Sequence, residues 1–89
     1  MTSSDREYQL VIARRFLKDL KKLSREDQLR VRRTLPKLKD KPYQGRKVST
    51  AETGQYRWRI GNLRIRYDIE GDRIQILRVI KREDAYRKF

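Results

Sequence analysis

The chain of 89 residues contains neither cysteine nor histidine. The first absence excludes disulfides, thiolate metal sites and a cysteine nucleophile. The second removes the usual zinc ligand and the usual general base near neutral pH. Long apolar runs are missing too. The longest is Leu10 to Ala13, so nothing is expected to span a bilayer. The N-terminus has no apolar core of the kind a signal peptide carries. These features lead us to expect a soluble, cytoplasmic protein without a membrane partner. Hydrophobic residues make up 36% of the chain, enough for one thin core and a single domain over residues 1–89.

Acidic residues are scarce as well, and what stands in their place is informative. Lys and Arg number 25 against 12 Asp and Glu, a net charge of +13. Such an excess strains the compact state by self-repulsion and attracts polyanions over long range. Nucleic acid is the first candidate partner, since release of its condensed counterions drives binding. An acidic protein is a second, and an anionic membrane surface a third. A surface charged merely for thermostability would enrich Glu alongside Lys, which is not the pattern here.

Residues 1–6 are polar and aperiodic and read as a frayed end. Glu7 to Ile12 is rich in strand formers. From Ala13 the period changes: Ala13, Phe16, Leu17, Leu20 and Leu23 form one apolar helical stripe. Arg14, Arg15, Lys18, Lys21 and Lys22 occupy its other face. Ser24 is an N-cap candidate, followed by Glu26 and Asp27 in a first turn. A second helix runs to about Lys39 with Val31, Leu35 and Leu38 inward, and Pro36 predicts a kink or an early end. Residues 40–55 read as a loop. Tyr56–Ile60, Leu63–Glu70 and Arg73–Ile80 are strands joined by Gly61-Asn62 and Gly71-Asp72, which are strong hairpin signals. The expected fold is α+β, in the order β-α-α-β-β-β, an antiparallel meander with a helical hairpin on one face.

Side chains alternate along a strand. Trp58 and Ile60 therefore share one face of their strand, and Arg57 and Arg59 the other. A two-residue turn at Gly61-Asn62 sets Arg59 opposite Arg64 and Arg57 opposite Arg66. Directly opposed like charges destabilise a sheet, and Asp68 and Glu70 could only partly compensate them. Guanidinium groups grip phosphate oxygens bidentately, so the face reads as a phosphate-binding surface. The third strand breaks alternation at Ile76-Leu77, through either a bulge or a central position covered on both sides. The following tail, Lys81 to Arg87, sets Tyr86 among cations, which suits charge on a backbone and a ring on a base. Trp58 and Phe16 sit at core parity. Glu83 and Asp84 are a weak metal signal, and neither metal nor cofactor is expected.

The segment YRWRIGNLRIRYDI, the ending LRVIKREDAY and the element order together resemble the RelE toxins of the RelE/ParE superfamily. The likeness runs from Tyr8 to Tyr86. It implies a ribosome-dependent endoribonuclease, an mRNA interferase that cuts messages in the ribosomal A site. It also implies a cognate RelB-like antitoxin as partner, which the charge suggests is acidic and partly disordered. The implied chemistry is metal-free attack of an RNA 2′-hydroxyl on the adjacent phosphate. Matched position by position, Arg57, Arg59 and Arg64 become phosphate clamps. Arg82 becomes the transition-state stabiliser and donor to the leaving oxygen, and Tyr86 the stacking platform. Arg66, Lys81 and Arg87 add RNA and phosphate contacts. Well-studied members carry lysine where this chain has Arg57 and Arg59. Arginine does not give up its proton, so a base role does not pass to Arg57, and Tyr86 beside cations becomes the base candidate. The spacing from Arg82 to Tyr86 is also shorter than in those members. The alternatives are a ParE-like poison of DNA gyrase, a non-enzymatic RNA- or ribosome-binding module, and use of the basic first helix at a membrane surface.

Overall fold

The structure, a computed structural model, describes residues 7–47 and 55–81. Strand β1 (Gln9–Ile12) leads through Ala13 into helix α1 (Arg14–Lys21) and then helix α2 (Arg25–Asp40). A 3₁₀ turn at Pro42–Gln44 precedes a two-residue strand, β2 (Arg46–Lys47). The chain then forms β3 (Tyr56–Ile60), β4 (Leu63–Glu70) and β5 (Arg73–Lys81). The loop expected over 40–55 thus contains a short edge strand, while the frayed end expected at 1–6 lies outside the described residues.

The five strands lie in the order β1-β5-β4-β3-β2. The helical hairpin carries the chain over one face, from β1 at one edge to β2 at the other, and the meander returns toward β1. That return makes β1 run parallel to β5, with Leu10 beside Ile74 and Ile12 beside Ile76. The α+β class therefore holds, but the antiparallel pattern is confined to β2 through β5 and the sheet as a whole is mixed.

The core lies between the helices and one sheet face. Phe16, Val31 and Leu38 meet Leu63, Ile65, Tyr67, Ile74, Ile76 and Val79, all buried. On α1 the inward stripe is rotated from the expected one. Asp19 takes an inward position at 8% exposure, while Leu17 is 46% exposed. The Ser24 hydroxyl caps α2 by accepting from the Asp27 amide at 3.1 Å. Pro36 does not end that helix, which continues to Asp40. Pro36 and Arg32, whose carbonyl the missing N–H would have met, both lie on the exposed side, where water can serve the carbonyl.

Gly61 and Gly71 open the two tight turns with φ of 57° and 61°, the left-handed backbone that primed hairpin turns require. The turns set the register: Arg57 faces Arg66, Arg59 faces Arg64 and Ile60 faces Leu63. In β5 the alternation breaks at a bulge, where Arg66 pairs with Arg78 but Tyr67 with Ile76, leaving Leu77 as the extra residue. β5 is internal, flanked by β1 and β4, but helices cover only one of its faces, so of the two explanations considered the bulge is the one observed.

Candidate nucleic-acid interface

Facing away from the helices, the sheet displays its arginines. β3 contributes Arg57 and Arg59, and β4 contributes Arg64 and Arg66, paired across strands that lie about 4.8 Å apart. Arg59 is exposed and the other three are half-buried. Register extends the row onto β5, where Arg78 is the partner of Arg66, and on the other side Arg46 of β2 is the backbone partner of Arg57. Four adjacent strands thus carry arginine at one level of the sheet.

The two acids of β4 on this face have structural duties. The Asp68 carboxylate accepts the Gln55 amide at 2.6 Å, holding the entry to β3. Glu70 accepts from the Gln75 side chain at 3.3 Å. At the β3 edge, an open cleft of about 320 Å³ is lined by Gln44, Gly45, Arg57, Trp58 and Arg59. Its floor depends on close packing behind it. The Tyr67 hydroxyl donates to the Pro42 carbonyl at 2.6 Å, and a Cβ placed on Gly45 would collide with that hydroxyl. Tyr67 also stacks on Tyr56, with ring centroids 5.5 Å apart. Burial pushes the Tyr67 phenol up to about 12, Tyr56 adds to the rise and the Gly45 amide opposes it. Tyr67 is therefore a neutral structural donor at physiological pH.

On β5, at the other side of the row, Asp19 and Arg78 form a partly buried ion pair. Asp19 Oδ2 accepts from Arg78 Nε at 2.8 Å and Oδ1 from Nη2 at 3.1 Å. Oδ2 also accepts the Val79 amide at 3.2 Å. β1 ends at Ile12, where the Ala13 amide still donates to the Ile76 carbonyl at 3.0 Å. Beyond that point, among the described residues, no strand continues β1 along that side of β5, and a carboxylate from α1 serves the Val79 amide instead. The Asp19 hydrogen bonds raise the Arg78 pKa further above its ordinary value.

Of the residues singled out from sequence, the structure brings Arg57, Arg59, Arg64 and Arg66 onto one face. Lys81 is not among them. The bulge shifts parity along β5, so Lys81 pairs with Leu63 and falls at the end of the core face. Arg82, Tyr86 and Arg87 lie outside the described residues. Trp58 was expected in the core; it is half-buried against it and also lines the cleft. Sequence reasoning missed Arg78, whose face depends on the bulge, and Arg46, hidden in a stretch that reads as loop. Among the described residues, no group of three or more potential metal ligands is gathered together. No described helix is long and apolar enough to cross a membrane.

This is a small α+β domain that keeps its core on one side of a mixed sheet and a ladder of arginines on the other. Residues 10–86 match the family of ParE toxins of type II toxin–antitoxin systems, and the chain belongs to that family, within the RelE/ParE superfamily. Among solved structures, it is similar to a chain of the toxin–antitoxin complex RelBE2 from Mycobacterium tuberculosis, with 25% identity and a TM-score of 0.77 over 85% of this chain and 92% of that one. A chain of the RelB–RelE antitoxin–toxin complex from Methanococcus jannaschii is 26% identical, with a TM-score of 0.70 over 89% and 98%. The fold is shared with a chain of the chromosomal ParDE system of Pseudomonas aeruginosa, at 18% identity and a TM-score of 0.65 over 86% and 98%. No curated protein sequence matches this chain.

Proposed function

We propose that this toxin is an mRNA interferase that cleaves messages on the ribosome. The observation that carries the reading is the pairing of Arg57 with Arg66 and Arg59 with Arg64 on one sheet face. Opposed like charges cost stability, and guanidinium groups gathered on one face suit the oxygens of a phosphate backbone. Violations of local rules of this kind concentrate at functional sites.

In the proposed reaction the substrate 2′-hydroxyl loses its proton and the O2′–P bond forms as the P–O5′ bond breaks. The 5′-oxygen then takes up a proton, leaving a 2′,3′-cyclic phosphate and a 5′-hydroxyl. Arg57, Arg59 and Arg64 hold the phosphate oxygens and offset the charge that grows on them. Holding the phosphate in line with the hydroxyl makes the step effectively unimolecular. Arg66, on the same face, adds a phosphate contact. Arg82 hydrogen-bonds the leaving 5′-oxygen, which takes its proton from water, and Tyr86 stacks on the base and, as its phenolate, receives the hydroxyl proton. A cognate antitoxin, like the partners in the RelBE complexes, would neutralise the protein. An acidic segment that folds on binding suits a toxin at +13.

The test is a translation extract programmed with a defined message, with cut sites mapped by primer extension. Cleavage only with ribosomes, lost in Arg82→Ala, supports the reading; its absence, with and without ribosomes, overturns it. The second reading is gyrase inhibition, favoured by the ParE family match over residues 10–86. Loss of supercoiling by purified gyrase would support it, with the arginine face as a docking surface.

A further inference from the structure

The arginine row continues onto β5 because of two features that are independent of each other. The first is the bulge at Leu77. Without that extra residue, Leu77 would sit opposite Arg66 and Arg78 would turn toward the core. With it, Arg78 joins Arg57 and Arg66 at one level of the sheet, and Val79 enters the core in its place. Bulges are common next to functional sites, where they re-aim a side chain.

The second feature is Asp19. Its carboxylate takes one N–H from Nε and one from Nη2 of Arg78. A guanidinium has five N–H donors in a rigid fork, so three remain, on the Nη1 and Nη2 end. The Arg78 side chain is 20% exposed and that of Asp19 is 9% exposed. The pair is therefore largely sunk beside the end of β1, with part of the Arg78 side chain in reach of solvent.

We propose that Arg78 is a further phosphate-binding residue of this face and that Asp19 is its positioning residue. The inference rests on the reading of the arginine face as an RNA surface. Arg57, Arg66 and Arg78 then form a track across three strands, about 10 Å wide. Arg78 is its pre-oriented end, because Asp19 has already removed the rotamer freedom that binding would otherwise have to freeze.

The experiment is fluorescence polarisation of the isolated toxin with a short labelled single-stranded RNA, run alongside circular dichroism. Arg78→Gln should weaken binding about tenfold or more, the loss of charge-assisted bonds to a phosphate. Arg73→Gln, which removes the same charge at the far end of β5, should stay within about twofold. Asp19→Asn gives the sharper readout. It raises the net charge, so a long-range field alone would tighten binding, whereas lost positioning weakens it. If Arg78→Gln does not fold, Asp19→Asn/Arg78→Gln replaces the ion pair with two neutral amides and should show the same weakening. Arg78→Gln or the double variant binding like Arg73→Gln, or Asp19→Asn binding more tightly than wild type, overturns the proposal. Arg57→Gln separates the two levels. If it weakens binding while the Arg78 variants do not, only this inference fails; if wild type binds no RNA, the reading of the face fails with it.

Discussion

Replacing Asp19 with alanine removes the acceptor of three hydrogen bonds, from Arg78 Nε, Arg78 Nη2 and the Val79 amide. The Val79 amide is buried, and an unsatisfied buried donor costs about 1–3 kcal/mol. Breaking a fully buried ion pair by deleting one partner costs about 3–5 kcal/mol. Arg78 keeps 20% of its side chain exposed and can turn partly to water, so that figure is discounted. Together these give about 3 kcal/mol for Asp19→Ala. The total stability of a domain this size is about 4–13 kcal/mol, so the loss is a large fraction, equivalent to about 12–24 °C in Tm. The surface pair offers a control. Arg30 and Asp27 are 3.8 Å apart, with the Arg30 side chain 48% exposed, and Arg30→Ala should cost about 0.5 kcal/mol or less. Urea unfolding followed by circular dichroism measures both. Combining Asp19→Ala with Arg78→Met should recover about 1–3 kcal/mol relative to the sum of the single losses, since the two residues share one network. A cost for Asp19→Ala within 1 kcal/mol of the Arg30→Ala cost, or strict additivity with Arg78→Met, would show that the carboxylate is not what secures the open edge of β5.

Three further outcomes are expected. Tyr67→Phe leaves the Pro42 carbonyl without its donor and should cost about 1–3 kcal/mol at neutral pH. The folded phenol titrates near 12 against an ordinary 10.0, so the stability it confers is complete below pH 10 and is lost as pH rises toward 12. Wild type should therefore lose about 2–3 kcal/mol more than Tyr67→Phe over that window, and parallel urea midpoints would count against it. Gly45→Ala drives a methyl into the Tyr67 hydroxyl, with the Arg57 carbonyl also 3.0 Å away. It should cost about 1–3 kcal/mol and alter the cleft; a variant as stable as wild type would show that this packing is slack. Phe16→Ala should cost about 3–5 kcal/mol, whereas Leu17→Ala, on the exposed side of α1, should stay within about 0.5 kcal/mol. Comparable losses at the two positions would mean the helix is rotated from the orientation described.

The parts of the fold that were legible in the sequence were those set by local rules. Gly61-Asn62 and Gly71-Asp72 admit only short turns, and a two-residue turn leaves one register for β3 and β4. The opposition of Arg57 to Arg66 and of Arg59 to Arg64 follows from parity alone, and the structure has it. What was illegible depends on contacts between residues far apart in the chain. The parallel seat of β1 beside β5 is decided by where the helical hairpin delivers the chain, not by anything in Gln9–Ile12. Asp19 illustrates the same limit: in an apolar stripe a carboxylate reads as surface, and it is buried only because β5 presents a guanidinium and an amide 59 and 60 residues away. Leu17 was displaced from the core by the same rotation. Lys81 reads as the start of the tail, but it is the last residue of β5, and the one inserted residue, Leu77, sets the face on which it falls. The run Ile76-Leu77-Arg78-Val79 offers three apolar residues and one cation, and a bulge after Ile76 is the arrangement that buries Ile76 and Val79 while leaving Arg78 beside Arg66. Packing and charge thus favour one backbone defect for separate reasons, which is why the break in alternation marked the most informative position on β5.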